Sequence, residues 1–213
     1  SPRLEAVMDV GAALDRHRDL FDQSVAPEAR VALLFSETSM RLGVVEGEGK
    51  DPSHPRNAYM YADALAGAYL MCSDLSVPVR MFDEKRLLEP DALRGFDVLI
   101  VPNCIVLSAE ELDVMERFAR EGGIVVADGL AAMKDGSGRI DKATLRRAAE
   151  LFGAAVEDIE TGDYPMGVEG TSGSGAAFAF EGWFYRLPLR PAGDGGRTAA
   201  RFAGASGKPA ITE

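Results

Sequence analysis

The chain has 213 residues, 46% hydrophobic and 27% charged, which suits one full domain with appendages or two small domains. Its 23 basic against 34 acidic residues leave a net charge of −11, which repels phosphate backbones and anionic lipid and so excludes nucleic acid and membrane surfaces as partners. No apolar run approaches the ~20 residues that cross a bilayer.

Residues 2–25 predict a helix, with Leu4, Val7, Gly11, Leu14, Arg18 and Phe21 at helical spacing and Pro27 as its stop. It precedes the first strand and is expected to pack on something outside this chain. Residues 31–35, Val-Ala-Leu-Leu-Phe, read as a strand buried on both faces of a parallel sheet. Ser36, Glu37, Thr38 and Ser39 follow as a polar loop, and 43–56, with three glycines and two prolines, as a long irregular connection. Residues 57–75 predict a helix that is apolar nearly all round, with Asp63 its only charge before Asp74. Such a helix is expected to be buried on more than one side, under other elements or against another subunit.

Residues 79–82 form a second strand after Pro78, and a short helix is expected around 87–93. Residues 98–101, Val-Leu-Ile-Val, form a third strand, again apolar on both faces. Ser108 and Glu111 make a capping box that opens a helix lined by Leu112, Met115 and Ala119, and Gly122-Gly123 close it. Residues 124–127 form a fourth strand, also expected to be buried on both faces. Asp141 caps a further helix carrying Leu145, Ala148, Leu151 and Phe152, with Gly153 at its end. This alternation predicts an α/β fold: a parallel sheet with helices on both faces and right-handed crossovers. Beyond Gly153 the texture changes. Residues 170–175 read as a flexible Gly/Ser loop, and 177–184 and 199–203 as short antiparallel strands. The domain reading is therefore a leading helix over 1–27, an α/β domain over 28–165, and a β-rich extension over 166–213. The chain opens on Ser1-Pro2 and closes on a segment that reads as the start of a strand, so both ends are expected to be cuts in a longer protein.

In an open parallel sheet, ligands bind beyond the carboxyl ends of the strands. The groups placed there are Ser36, Glu37, Asn103, Cys104, Asp128 and Gly129. Glu37 and Asp128 have the chemistry of an acid/base pair, although capping or solvated carboxylates are the plainer reading at turn positions. Cys104 has no thiolate-favouring neighbour in sequence. The strand-to-helix elbow where this kind of fold carries its nucleophile reads Asp128-Gly129-Leu130, with no Ser or Cys. Gly47-Glu48-Gly49-Lys50 lacks the spacing of a phosphate loop. The two cysteines, Cys72 and Cys104, do not make a disulfide framework and fit a reducing cytoplasm. His17 and His54 have no metal-ligand spacing to them. No cofactor and no metal are expected.

Taken in order, these segments resemble the middle, trimerisation domain of family 42 β-galactosidases. The likeness is carried by residues 31–36, by the long loop leading to 59–70, and by Phe96-Asp97-Val98-Leu99-Ile100-Val101-Pro102-Asn103 with Leu107-Ser108 beyond. It continues in Glu121-Gly122-Gly123-Ile124-Val125-Val126 and in Gly207-Lys208-Pro209-Ala210-Ile211-Thr212. It covers residues 28–213, and the leading helix resembles the segment joining a catalytic barrel to this domain. The resemblance implies a flavodoxin-like, class I glutamine-amidotransferase-like fold without its nucleophile, and a non-catalytic assembly role in a glycoside hydrolase. The catalytic carboxylates would belong to a preceding barrel domain, and the full-length protein would be a trimer. The competing reading is a small-molecule-binding or hydrolytic domain using the pocket at Glu37, Asn103 and Asp128.

Overall fold

A computed structural model describes residues 2–25, 27–47, 60–158, 166–171, 175–182, 187–192, 198–202 and 209–212. Helices α1 (Pro2–Arg16) and α2 (Arg18–Gln23) open the chain, and neither contains a buried residue. Strand β1 (Val31–Phe35) leads into α3 (Glu37–Gly47), then α4 (Met60–Asp74), β2 (Val79–Asp83) and α5 (Glu84–Leu87). Strand β3 (Val98–Val101), α6 (Ala109–Arg120), β4 (Ile124–Ala127), α7 (Lys142–Phe152) and β5 (Ala154–Val156) follow.

The first four strands form one parallel sheet in the order β2-β1-β3-β4. Alternate residues of a strand serve opposite faces, and here the two faces are covered unequally. On the first, Ala32, Leu34, Phe82, Leu99 and Val101 pack against Leu87, Leu112, Met115, Phe118 and Ala148, which come from α5, α6 and α7. On the second, Leu33 and Ile100 are sealed by Cys72 of α4, with Val31, Val79, Val98, Leu65 and Ala68 around them. Each fully buried aliphatic side chain contributes about 1.5–3 kcal/mol, so the first face supplies most of the stability.

Several sequence expectations need correction. The helix over 2–25 is two helices, broken at His17. Residues 36–39 are not a loop: α3 starts at Glu37, and hydrogen bonds from other elements hold its first turn. Residues 43–47 finish that helix, while 48–56 lie outside the described residues. The short helix expected at 87–93 sits earlier, because the Asp83 carboxylate accepts the Arg86 N–H (2.7 Å) and so caps α5 directly after the strand. Strand β4 is exposed on one face, contrary to its purely apolar sequence, because it is the sheet's edge and α4 does not reach over it.

The helix signals hold. Ser108 and Glu111 exchange both bonds of the capping box, and Gly122 turns the chain out of α6 at φ +97°. Asp141 caps α7 by accepting the Thr144 N–H at 2.8 Å.

The remaining strands are β6 (Met166–Thr171), β7 (Ala177–Gly182), β8 (Leu189–Pro191), β9 (Thr198–Phe202) and β10 (Pro209–Thr212). Four of them form an antiparallel sheet, β10-β9-β6-β7, around Val168 and Ala200. Strand β8 instead pairs antiparallel with β5, and the Pro188 carbonyl accepts the Glu157 N–H at 2.8 Å. The β-rich extension is thus tied by backbone bonds to the segment that follows α7. Residues 172–174 of the expected Gly/Ser loop lie outside the described residues.

Candidate functional site at the carboxyl ends of the strands

Six residues were expected at the carboxyl ends of β1, β3 and β4, and the structure brings only some of them together. Ser36 directly follows β1 and is buried. Its N–H donates to the Tyr61 hydroxyl, and its own hydroxyl donates to Glu84 Oε1 at 2.6 Å. Ser36 Oγ accepts the Ser39 N–H at 3.0 Å. Ser39 Oγ in turn accepts the Val106 N–H at 3.1 Å, and Glu84 accepts the Thr38 N–H at 3.1 Å. This network pins the start of α3 to α5 and to the segment after β3.

Glu37 takes no part in it. Its carboxylate pairs with Arg41 at 2.6 Å, one turn on along α3. Asn103 and Asp128 do meet: the Asn103 N–H donates to the Asp128 carboxylate. Asn103 is buried in the left-handed region at φ +44°, a conformation Asn tolerates better than most residues. Its Oδ1 has no partner among the described residues. Asp128 also accepts the Leu130 N–H at 3.0 Å, so its carboxylate organises the turn after β4. Crowding by protein pushes its pKa up, and the N–H bonds of Asn103, Leu130 and Ala131 pull it back.

Cys104 is fully buried. Desolvation first, and then the carboxylates of Asp128, Glu111 and Glu84, push its thiol well above the ordinary range. A thiol in that setting stays protonated, the reverse of what a nucleophile needs. Burial likewise raises Tyr61. At Gly129 a Cβ would lie 2.9 Å from Leu187 Cδ1. The segment before β8 therefore covers the elbow where a nucleophile would stand, and Pro188 beside it is fully buried. Among the described residues no group of His, Cys, Asp and Glu is placed to hold a metal ion. His17 lies at the break between α1 and α2, where every residue is exposed, and His54 lies outside the described residues.

Sequence reasoning missed Ser39, Tyr61, Glu84 and Leu187. The Ser36/Ser39 spacing and a Glu straight after β2 were visible in the sequence, but nothing in it paired them across almost fifty residues.

The geometry defines a class: an α/β module in which Ser36 and Asp128 at the carboxyl ends are held by neighbouring side chains and backbone N–H groups, with the elbow capped by an apolar side chain. The family model described as the β-galactosidase trimerisation domain matches residues 29–213, and the chain belongs to this family. No curated protein matches it. Among solved structures it is similar to a catalytic mutant of Gan42B, a GH42 β-galactosidase from G. stearothermophilus (17% identity, TM-score 0.75, 100% of this chain and 29% of that one). It is also similar to the β-galactosidase from Rahnella sp. R3 (19% identity, TM-score 0.70, 87% and 26%). A third likeness is to α-L-fucosidase isoenzyme 2 from Paenibacillus thiaminolyticus (20% identity, TM-score 0.57, 95% and 28%). At such identities these likenesses carry the fold alone, and the chain spans under a third of the length of each. The family match makes it a trimerisation domain, and the expected non-catalytic assembly role fits that description.

Proposed function

We propose that this domain joins the subunits of a β-galactosidase-like glycoside hydrolase into a trimer and performs no chemistry itself. The family match over residues 29–213 carries the reading. The commitment of Ser36 to Glu84 and of Asp128 to the Asn103 N–H supports it, as does Leu187 lying over Gly129. Helices α1 and α2 precede the matched region and expose Leu4, Val7, Met8, Leu14 and Phe21. Their apolar surface suits packing on a preceding catalytic barrel of the same protein. Residues 1–27 then belong to that junction, 28–165 to the α/β domain and 166–213 to the β-rich extension. The protein uses no cofactor in this part. Two buried, unpaired thiols favour a cytoplasmic location, and among the described residues no helix is long and apolar enough to cross a membrane.

The test is light scattering on the full-length protein. A mass of three subunits is expected, and a monomer or dimer refutes the assembly role. The 213-residue chain alone is expected to release no chromophore from chromogenic galactosides and no ammonia from glutamine. Turnover that disappears in Cys104→Ala or Glu37→Gln would overturn the non-catalytic part.

A further inference from the structure

The glycine at the elbow after β4 is there for space, not for backbone freedom. Gly122 and Gly153 take positive φ, +97° and +69°, where a side chain is strained. Gly129 does not, so an L-residue can adopt its conformation. What the position lacks is room: a Cβ there would meet Leu187 Cδ1 at 2.9 Å and Leu187 Cβ at 3.2 Å. The elbow itself is held from several sides. The Asp128 carboxylate accepts the N–H groups of Asn103 and Leu130, and its carbonyl accepts the Ala131 N–H at 3.2 Å. Ala132 donates to the Cys104 carbonyl at 2.9 Å, and Ala131 and Ala132 both belong to the main core. Facing the elbow, Leu187 leads through the fully buried Pro188 into β8. That strand is three residues long; it bonds β5 on one side and lies against β10 on the other.

We propose that Gly129 is a docking socket for the chain's own β-rich extension. Leu187 seats where a side chain at 129 would stand, and β8, paired with β5, passes that seat on to the antiparallel sheet through β10. The elbow then holds either the extension or a nucleophile, not both. A Ser or Cys at 129 would carry its Oγ or Sγ beyond the Cβ that Leu187 already excludes. Of the two sides of the contact, β8 is the one that yields. A two-stranded ladder of three pairs is marginal by itself, whereas the elbow rests on the core of the parallel sheet. A side chain at 129 is therefore accommodated by β8 lifting off while the sheet stays intact.

The experiment is hydrogen exchange on the full-length protein, read at Glu157 and Ala192, whose N–H groups donate to the Pro188 and Gly153 carbonyls at 2.8 Å each. Gly129→Ala is expected to speed exchange at both at least about tenfold and to leave Leu33, on an inner strand of the parallel sheet, unchanged. Leu187→Ala removes the seated side chain and is expected to speed the same two amides. Adding Gly129→Ala to it is expected to change them no further, because both substitutions act on one contact. Unchanged exchange in Gly129→Ala, additive effects in the double variant, or an equal rise at Leu33 each overturn the socket. Should Gly129→Ala fail to fold, Leu187→Ala decides alone, since it only removes atoms. Glu157 and Ala192 freed with Leu33 still protected supports the proposal, and wild-type protection at Glu157 and Ala192 refutes it.

Discussion

The two faces of the parallel sheet are built from the same four strands and from equally apolar residues, yet one is closed and the other half open. Leu99 and Val101 are buried beneath α6 and α7, whereas Ile124 and Val126, just as apolar, face solvent beside α4. Strand sequence records the cover a strand is made for, and the cover itself depends on how many helices the chain supplies to each side. Among the described residues the closed face gets three helices and the open face one. An apolar strand left uncovered in a folded domain therefore points beyond the domain, to another domain or another subunit.

The sharpest way to break this contrast is to truncate one side chain on each face of the isolated chain and measure urea unfolding. Leu99→Ala opens a cavity in the closed core and is expected to lose about 2–5 kcal/mol. Val126→Ala on the open face is expected to change stability by no more than ~0.5 kcal/mol. Equal losses would mean that the open face is covered within the chain itself.

A second probe overfills the closed face. A Cβ at Gly123 would lie 2.4 Å from the Phe118 ring, which is buried against the sheet. Gly123→Ala is expected to cost about 1–3 kcal/mol in the same assay, because that ring has nowhere to retreat. A third removes the cap of the helix that covers this face. Ser108→Ala loses the hydroxyl that accepts the Glu111 N–H at 3.2 Å, and the expected loss is about 1 kcal/mol.

The smallest effect is a pH dependence. Burial, the largest influence, raises the Glu111 pKa above its ordinary value of 4.5, while its bonds to Ser108 pull it back. A carboxyl raised by folding adds stability that is fully present below its unfolded pKa and is lost as pH rises through its folded pKa. Glu111→Gln keeps a side chain able to accept at the capping box and removes this titration. The wild-type protein is expected to lose stability relative to the variant as pH climbs from 4.5 through the raised value. A stability difference that stays flat over that range would show that the carboxylate is as well solvated in the fold as out of it.

What the sequence made legible was local. Ser108 with Glu111, Asp141 as the cap of α7, and the runs at 31–35 and 98–101 each declare their structure within a few residues, and each forms as read. What it hid depends on distance. Ser36, Thr38 and Ser39 are weak helix formers, so the start of α3 reads as a loop until Glu84 and Val106 supply partners from far along the chain. Gly170 reads as loop flexibility, but it sits in β6 with the Ala199 carbonyl 2.5 Å from where a Cβ would be, so the residue is small because a neighbouring strand passes close. The candidate site followed the same rule. Its positions at the carboxyl ends of strands were readable from topology. That Asp128 would bond Asn103, and that Glu37 would turn to Arg41, was not.

The contact of Leu187 with Gly129 also sets an order of events during synthesis. The strands of the parallel sheet and the elbow at Gly129 emerge from the ribosome first, and the side chain that covers the elbow follows about 60 residues later, several seconds behind at the usual ~5–20 residues per second. Through that interval the nascent α/β unit carries an uncapped elbow and an unpaired β5, whose partner β8 has yet to be made. The last third of the chain thus acts as a late-arriving clasp, and a nascent domain released before residue 192 would meet the cell's chaperones with that seam open.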